Sequence, residues 1–251
     1  MIKIIMNGCN GKMGQVITKI VADTDDCEIV CGVDINHNIE NTYPVYKSIS
    51  ECEEKADVII DFSHPSTLTS VLEYAKSTNT PAIICTTGLS AEQRQEIVDT
   101  SRDVAMFFSA NMSLGVNLLI DLVTRAAKIL EENFDIEIIE KHHNQKIDAP
   151  SGTALAIADA IADSITKEAE YTYDRHSVRK KRSKNEIGIH SMRGGTIVGE
   201  HSVIFAGQDE VIEVKHQATS KEVFAVGAVR AAKFLAGKPA GMYEMKDLIS
   251  Q

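Results

Sequence analysis

The chain opens on a short apolar run, Ile2 to Met6, interrupted only by Lys3, passes through a glycine-punctuated turn, and enters Lys12 to Val21, where apolar residues recur every three or four positions. That change of period predicts a buried strand feeding an amphipathic helix. The alternation then repeats. Short apolar runs at Glu28 to Val33, Asp57 to Asp61, Pro81 to Thr86 and Val104 to Phe108 are separated by helix-like stretches, and such an order predicts a doubly wound parallel sheet. From Leu114 a helix is expected through about Glu132, then a strand, Asp135 to Glu140, and an alanine-rich helix from Ser151 to about Thr166. Three alternating segments, Ile187 to Met192, Val198 to Ala206 and Glu210 to Gln217, are expected as antiparallel strands, the last two joined by a Gly207-Gln208-Asp209 turn. A final helix, Lys221 to Leu235, stops against Gly237 and Pro239. The fold class expected is α/β: a Rossmann-like doubly wound sheet plus a smaller α+β domain with a mixed sheet.

The turn after the first strand holds Gly8, Gly11 and Gly14 in a GxxGxxG spacing, which allows a tight turn, close approach of backbone to a pyrophosphate, and close packing of helix on strand. A glycine triplet alone is weak evidence. Here a second strand follows and ends at Asp34, twenty residues after Gly14, where a carboxylate can accept hydrogen bonds from the adenosine ribose hydroxyls. The unit therefore points to a dinucleotide. Ligands of such sheets sit at the carboxyl ends of strands, so the segments Asp61 to His64, Cys85 to Gly88 and Ser109 to Met112 are candidates to line a nicotinamide pocket.

Charge and composition narrow the partners. A net charge of -10 argues against nucleic acid, whose phosphates need a basic surface. No run of about eighteen apolar residues predicts a membrane span, and the opening strand lacks the shape of a signal peptide, so a cytoplasmic enzyme is expected. The five cysteines, Cys9, Cys27, Cys31, Cys52 and Cys85, contain no CxxC pair and read as reduced thiols. The basic stretch from Asp174 to Asn185 reads as a solvated loop.

The most informative segment is EKHHNQKIDAPSGTA, Glu140 to Ala154. His142 and His143 can titrate near neutrality, Lys146 supplies a point charge, and Ser151, Gly152 and Thr153 open a helix whose backbone N–H groups suit an anion. Together they describe a site that holds carboxylates while donating a proton. Zinc is the rival ligand for His142, His143 and Asp148, but Lys146 in their midst repels a cation; no metal is expected.

These segments, with DFSHP, TTG, SANMSLGVN, RGGTIVGEHSVIFAG and HQATSKEVFAVGAVRAA, identify a resemblance that runs along nearly the whole chain. The sequence resembles the 4-hydroxy-tetrahydrodipicolinate reductase family, formerly called dihydrodipicolinate reductase. The resemblance implies reduction of a cyclic dicarboxylated imine by NADH or NADPH in the diaminopimelate and lysine pathway. It implies His142 as proton donor or acceptor, Lys146 as the second donor, His143 as a substrate contact, and Gly152 and Thr153 N–H groups on a carboxylate, with Arg193 adding to that clamp. On the cofactor side it implies Gly8, Cys9, Asn10, Gly11, Lys12, Met13, Asp34, Cys85, Thr86, Thr87, Ser109, Ala110, Asn111 and Met112. It further implies a nucleotide domain of residues 1–112 and 219–251, a substrate-binding and tetramerisation domain of residues 113–218, and closure between them.

Two departures from the family pattern bear on the cofactor. Ile35 follows Asp34 where members that use NADPH well often carry arginine, and Asp34 repels a 2′-phosphate, so NADH is expected to serve at least as well as NADPH, with Lys12 a partial substitute. Cys85 and Met112 stand where a glycine and an aromatic residue are common. The alternatives are another nicotinamide oxidoreductase of the same two-domain shape, or a nucleotide sensor with an inactive second domain.

Overall fold

In the computed structural model, which describes residues 1–250, the chain separates into two compact units: Met1–Leu114 together with the chain from Glu222 onward, and Gly115–Lys221. In the first unit β1 (Ile2–Asn7) leads to α1 (Lys12–Ala22), β2 (Cys27–Val33) and the short β3 (Val45–Tyr46). The chain continues through β4 (Val58–Asp61), α2 (Leu68–Thr78), β5 (Ala82–Ile84), α3 (Ala91–Thr100) and β6 (Ala105–Phe108). The second unit contains α4 (Leu114–Leu130), β7 (Asp135–His142), α5 (Gly152–Ala162), β8 (Glu170–Thr172), β9 (Glu186–Arg193), β10 (Gly199–Ala206) and β11 (Val211–Ala218). The chain then returns to the first unit as α6 (Glu222–Leu235), β12 (Gly241–Tyr243) and α7 (Met245–Ile249).

The first sheet is parallel throughout, in the order β12-β6-β5-β4-β1-β2-β3. Its strands are apolar on both faces because each face carries a helical layer. Ile4 and Met6 of β1, Ile60 of β4 and Phe107 of β6 point to the side covered by α1 and α6. Ile5, Ile59 and Met106 point to the side covered by α2 and α3. The order reverses at β1, and the carboxyl ends of β1 and its neighbour β4 form the switch point where such sheets bind ligands.

The second sheet is mixed, in the order β11-β10-β7-β9-β8. One face packs Ile136, Ile138, Ile189, Val203 and Phe205 against Leu119 and Val123 of α4 and Ile157 and Ile161 of α5. Here the sequence expectation needs correction. β10 and β11 form the expected antiparallel hairpin, but β9 is parallel to β7, and β7 lies between β9 and β10. Alternation along a strand says which residues face the core; it does not say which strand lies alongside.

A second correction concerns the basic stretch. The segment after β8 is irregular, as expected, but not simply solvated. Arg182 donates to Glu137 Oε1 at 3.0 Å and Asp135 Oδ1 at 3.1 Å, and Arg175 donates to Glu186 Oε2 at 2.6 Å. Glu137 and Glu186 lie inside strands on the face away from α4 and α5, and their charges draw these guanidiniums across the sheet. No helix among the described residues is long and apolar enough to cross a membrane.

Candidate active site

The nucleotide loop is built by close approach. Gly8 has φ +82°, and a Cβ there would lie 2.5 Å from Phe62 O. A Cβ on Gly14 would lie 2.2 Å from Gly8 O, so only glycine lets α1 pack this tightly on the loop. Gly11 begins α1 with no side-chain cap, leaving the helix N-terminus to other acceptors, as a pyrophosphate would be. Asp34 Oδ2 accepts from Asn10 N at 2.9 Å and Oδ1 from Asn36 N at 2.8 Å, which fixes the carboxylate at the end of β2 beside the loop. Cys9 contributes backbone, not a reactive thiol: burial first, and then Asp34, push the thiol up to about 12.

A cavity of about 340 Å³ opens at the carboxyl ends of β4 and β5. Of the sequence candidates it brings together Met13, Cys85, Thr86, Thr87, Ala110 and Met112. Cys85 and Met112 are nearly buried in its wall, an apolar setting suited to a nicotinamide ring. Ser109 and Asn111 shape the next turn, Ser109 Oγ donating to Asn111 O at 2.8 Å. Lys12 is exposed in the first turn of α1. Phe62 and Ser63, marked by their strand-end position but not assigned, also line the cavity, as does Phe224 of α6, which nothing local in the sequence signals. Asp61, wholly buried, accepts from Asn7 Nδ2, Ser63 Oγ and Thr86 Oγ1 at 2.7, 2.5 and 2.7 Å. Burial raises its pKa in spite of those donors. The glycine cradle, the Asp34 acceptor and the apolar cavity fit a nicotinamide dinucleotide.

The second unit carries the segment with the paired histidines and Lys146. β7 runs on two residues past its expected end, to His142, so His142 is the last strand residue and His143 the first outside. Glu140 and His142 therefore share the helix-facing side of the strand. Glu140 is fully buried, and its carboxylate accepts from His142 Nδ1 at 2.6 Å, Ser151 N at 3.0 Å, and Arg193 Nη1 and Nη2 at 2.7 and 2.6 Å. Burial opposes that charge, but Arg193, then His142, with further hydrogen bonds, outweighs it and holds the carboxyl at about 2. The sequence places Arg193 on the substrate; in the structure both of its terminal nitrogens are engaged by Glu140, because β9 pairs His142 with Arg193 in register.

Lys146 follows in the loop, its Nζ 2.8 Å from Asp148 Oδ1. The chain then enters α5, where Ser151 Oγ accepts from Ala154 N and lies 3.1 Å from His201 Nε2. At Gly152 an added Cβ would meet nothing within 4 Å, so the start of α5 is open at that position. The His201 ring stands edge-on to His142, centroids 5.2 Å apart, and burial, followed by the neighbouring imidazole of His142, pushes it down to about 4. Neither Glu140 nor His201 was singled out from sequence, although Glu140 lies two residues before His142 and so had to share its face.

Comparison with known proteins agrees with this geometry. Residues 2–112 match the family model described as dihydrodipicolinate reductase, N-terminus, and residues 115–249 its C-terminus counterpart. The chain is 51% identical to the 4-hydroxy-tetrahydrodipicolinate reductase of Clostridium novyi (strain NT) over 249 residues, 99% of this chain and 98% of that one. Identity is also 51% to the enzyme of that name from Caldanaerobacter subterraneus subsp. tengcongensis, over 100% of this chain and 99% of the relative. The fold resembles that of dipicolinate-bound dihydrodipicolinate reductase from Paenisporosarcina sp. TG-14, with a TM-score of 0.84 at 24% identity over 97% of each chain.

Proposed function

Because the chain belongs to the dihydrodipicolinate reductase family, we propose that it reduces 4-hydroxy-tetrahydrodipicolinate, by way of the dehydrated cyclic imine, to tetrahydrodipicolinate in lysine and diaminopimelate biosynthesis. The observation that carries the reading is that one buried carboxylate, Glu140, holds both His142 and the start of α5, with Lys146 in the loop that joins them.

The cofactor, when bound, supplies the hydride. Gly8 to Met13 would receive its pyrophosphate, Asp34 its adenosine ribose, and the cavity walled by Cys85 to Thr87, Ala110 and Met112 its nicotinamide, with Ser109 and Asn111 shaping the adjoining turn. In the second unit, Gly152, Thr153 and His143 hold the substrate carboxylates, and the Lys146 ammonium neutralises their charge. His142 would deliver a proton to the carbon beside the one that takes the hydride, with Lys146 as the second donor, so that the ring gains two hydrogens and keeps its C=N bond.

Asp34 next to Ile35 favours NADH, since no guanidinium meets a 2′-phosphate and the carboxylate repels it. Residues 113–218 form the substrate-binding domain. The face of its sheet away from α4 and α5, which carries half-buried Ile139 and Ile204 and exposed Met192 and Val211 among its ion pairs, assembles a homotetramer. The enzyme works in the cytoplasm, where the reduced nicotinamide pool is available.

The test supplies the substrate in place, from pyruvate and aspartate semialdehyde with the preceding synthase. Loss of NADH absorbance, with a product two hydrogens heavier than the dehydrated imine, supports the reading. Folded protein that binds NADH but leaves it unoxidised overturns it.

A further inference from the structure

Glu140 has no part in the steps just described, yet its carboxylate hydrogen-bonds His142 directly. Resting on the proposed reduction, we propose that Glu140 is a positioning residue that sets the tautomer and charge of His142 and ties the imidazole to the start of α5. The geometry is explicit. Glu140 Oε2 takes Nδ1 of His142 at 2.6 Å, and Oε1 takes the backbone N–H of Ser151 at 3.0 Å. One carboxylate thus fixes both the proton donor and the residue that caps the helix.

With Nδ1–H committed to Glu140, Nε2 becomes the nitrogen that exchanges protons. Space is kept there: a Cβ on Gly199 would lie 3.2 Å from Nε2, so any larger residue would crowd it. The bidentate grip of Arg193, 2.6 and 2.7 Å, stops the carboxylate from turning. A buried ion pair of this kind adds little net stability over apolar side chains of similar volume, so its effect is on orientation and charge.

Several titratable groups surround His142. Glu140 lies on its own strand, Arg193 on β9, and His201, backed by His216, on β10 and β11. Lys146 and Asp148 occupy the loop that follows. Removing the Glu140 charge takes away the anion that meets both the imidazole and the Arg193 guanidinium, so a charged His142 loses its partner while the cation beside it stays.

Glu140→Gln keeps the shape while removing the charge and turning an amide NH2 toward donors that both carboxylate oxygens now accept from, and Glu140→Asp keeps the charge while shortening the reach. Glu140→Gln with Arg193→Gln removes both buried charges, so the test survives if the single variant folds poorly. The readouts are the pH profile of kcat, KM for NADH, and the imidazole ¹⁵N shifts of His142, assigned by their loss in His142→Gln.

We expect Glu140→Gln to lose about tenfold or more in kcat with unchanged KM for NADH, and the alkaline fall of kcat to move down by about one pH unit. The Nδ1–H tautomer signature of His142 is lost in Glu140→Gln and stays lost in the double variant, although the double variant regains thermal stability. Glu140→Asp keeps the alkaline limb closer to that of the unmodified protein than Glu140→Gln does. An unchanged pH profile and tautomer in Glu140→Gln, or full recovery of both in the double variant, overturns the positioning role. Absence of NADH oxidation by the unmodified protein overturns the reduction instead, and the tautomer comparison still decides the role of Glu140.

Discussion

Lys146 and Asp148 form an ion pair, Nζ to Oδ1 2.8 Å, in the loop between the last residue of β7 and the start of α5. Asp148 is more than half exposed, 56%, and Lys146 much less so, 23%. The ammonium is therefore held in place by a partner that water screens, and under the proposed function a substrate carboxylate displaces that partner. Lys146→Ala is expected to lower kcat by about 10²- to 10⁴-fold while the NADH dissociation constant, measured by fluorescence titration, stays within about twofold of its starting value. Asp148→Asn removes the competitor, and KM for the imine is expected to fall.

The proposed preference for NADH is tested at Asp34 and Ile35. Ile35 is 90% exposed beside the Asp34 carboxylate. Replacing it with arginine supplies a fork for a 2′-phosphate, and Asp34→Gly removes the repelling charge. The pair of substitutions is expected to raise kcat/KM for NADPH relative to NADH by about tenfold or more, read from steady-state rates with the two cofactors. Asp34→Gly alone should also loosen the loop, because Asn10 N then has no carboxylate to meet.

Gly14→Ala forces a methyl to within 2.2 Å of Gly8 O and 2.6 Å of Cys9 O. Backbone has to move, so destabilisation of about 1–3 kcal/mol is expected. The variant should melt earlier and bind NADH far more weakly, as calorimetry and titration would record.

Acid sensitivity divides into two windows. His201 is held neutral by burial, from 6.5 down to about 4, so the unfolded chain binds the proton first; its contribution is full above 6.5 and is lost as pH falls from 6.5 to about 4. Glu140 is held ionised, from 4.5 down to about 2; its contribution is full above 4.5 and is lost between 4.5 and about 2. His201→Gln is expected to flatten part of the fall in melting temperature between pH 6.5 and 4, leaving the steeper fall below 4.5 in place.

Much of this was legible because the signals are local. β1, the glycine loop and α1 announce themselves in the first twenty-two residues, and the histidines, Lys146 and the α5 start lie within one short segment. What was not legible depends on register and on distant packing. Arg193 meets Glu140 only because β9 lies parallel to β7, and local alternation carries no information about neighbours. Phe224 reaches the cavity at the carboxyl ends of β4 and β5 from a helix far along the chain. β3 and β12, of two and three residues, are too short to show a period.

The most direct test of the proposed reduction follows one deuterium. NADH labelled at C4 of the nicotinamide is incubated with the enzyme and imine generated in place, and the product is read by mass spectrometry and NMR. Transfer of a single deuterium to the ring of tetrahydrodipicolinate, with NADH giving turnover at least as fast as NADPH, is the expected result. An unlabelled ring, or no product with either cofactor from protein that still binds NADH, would contradict it.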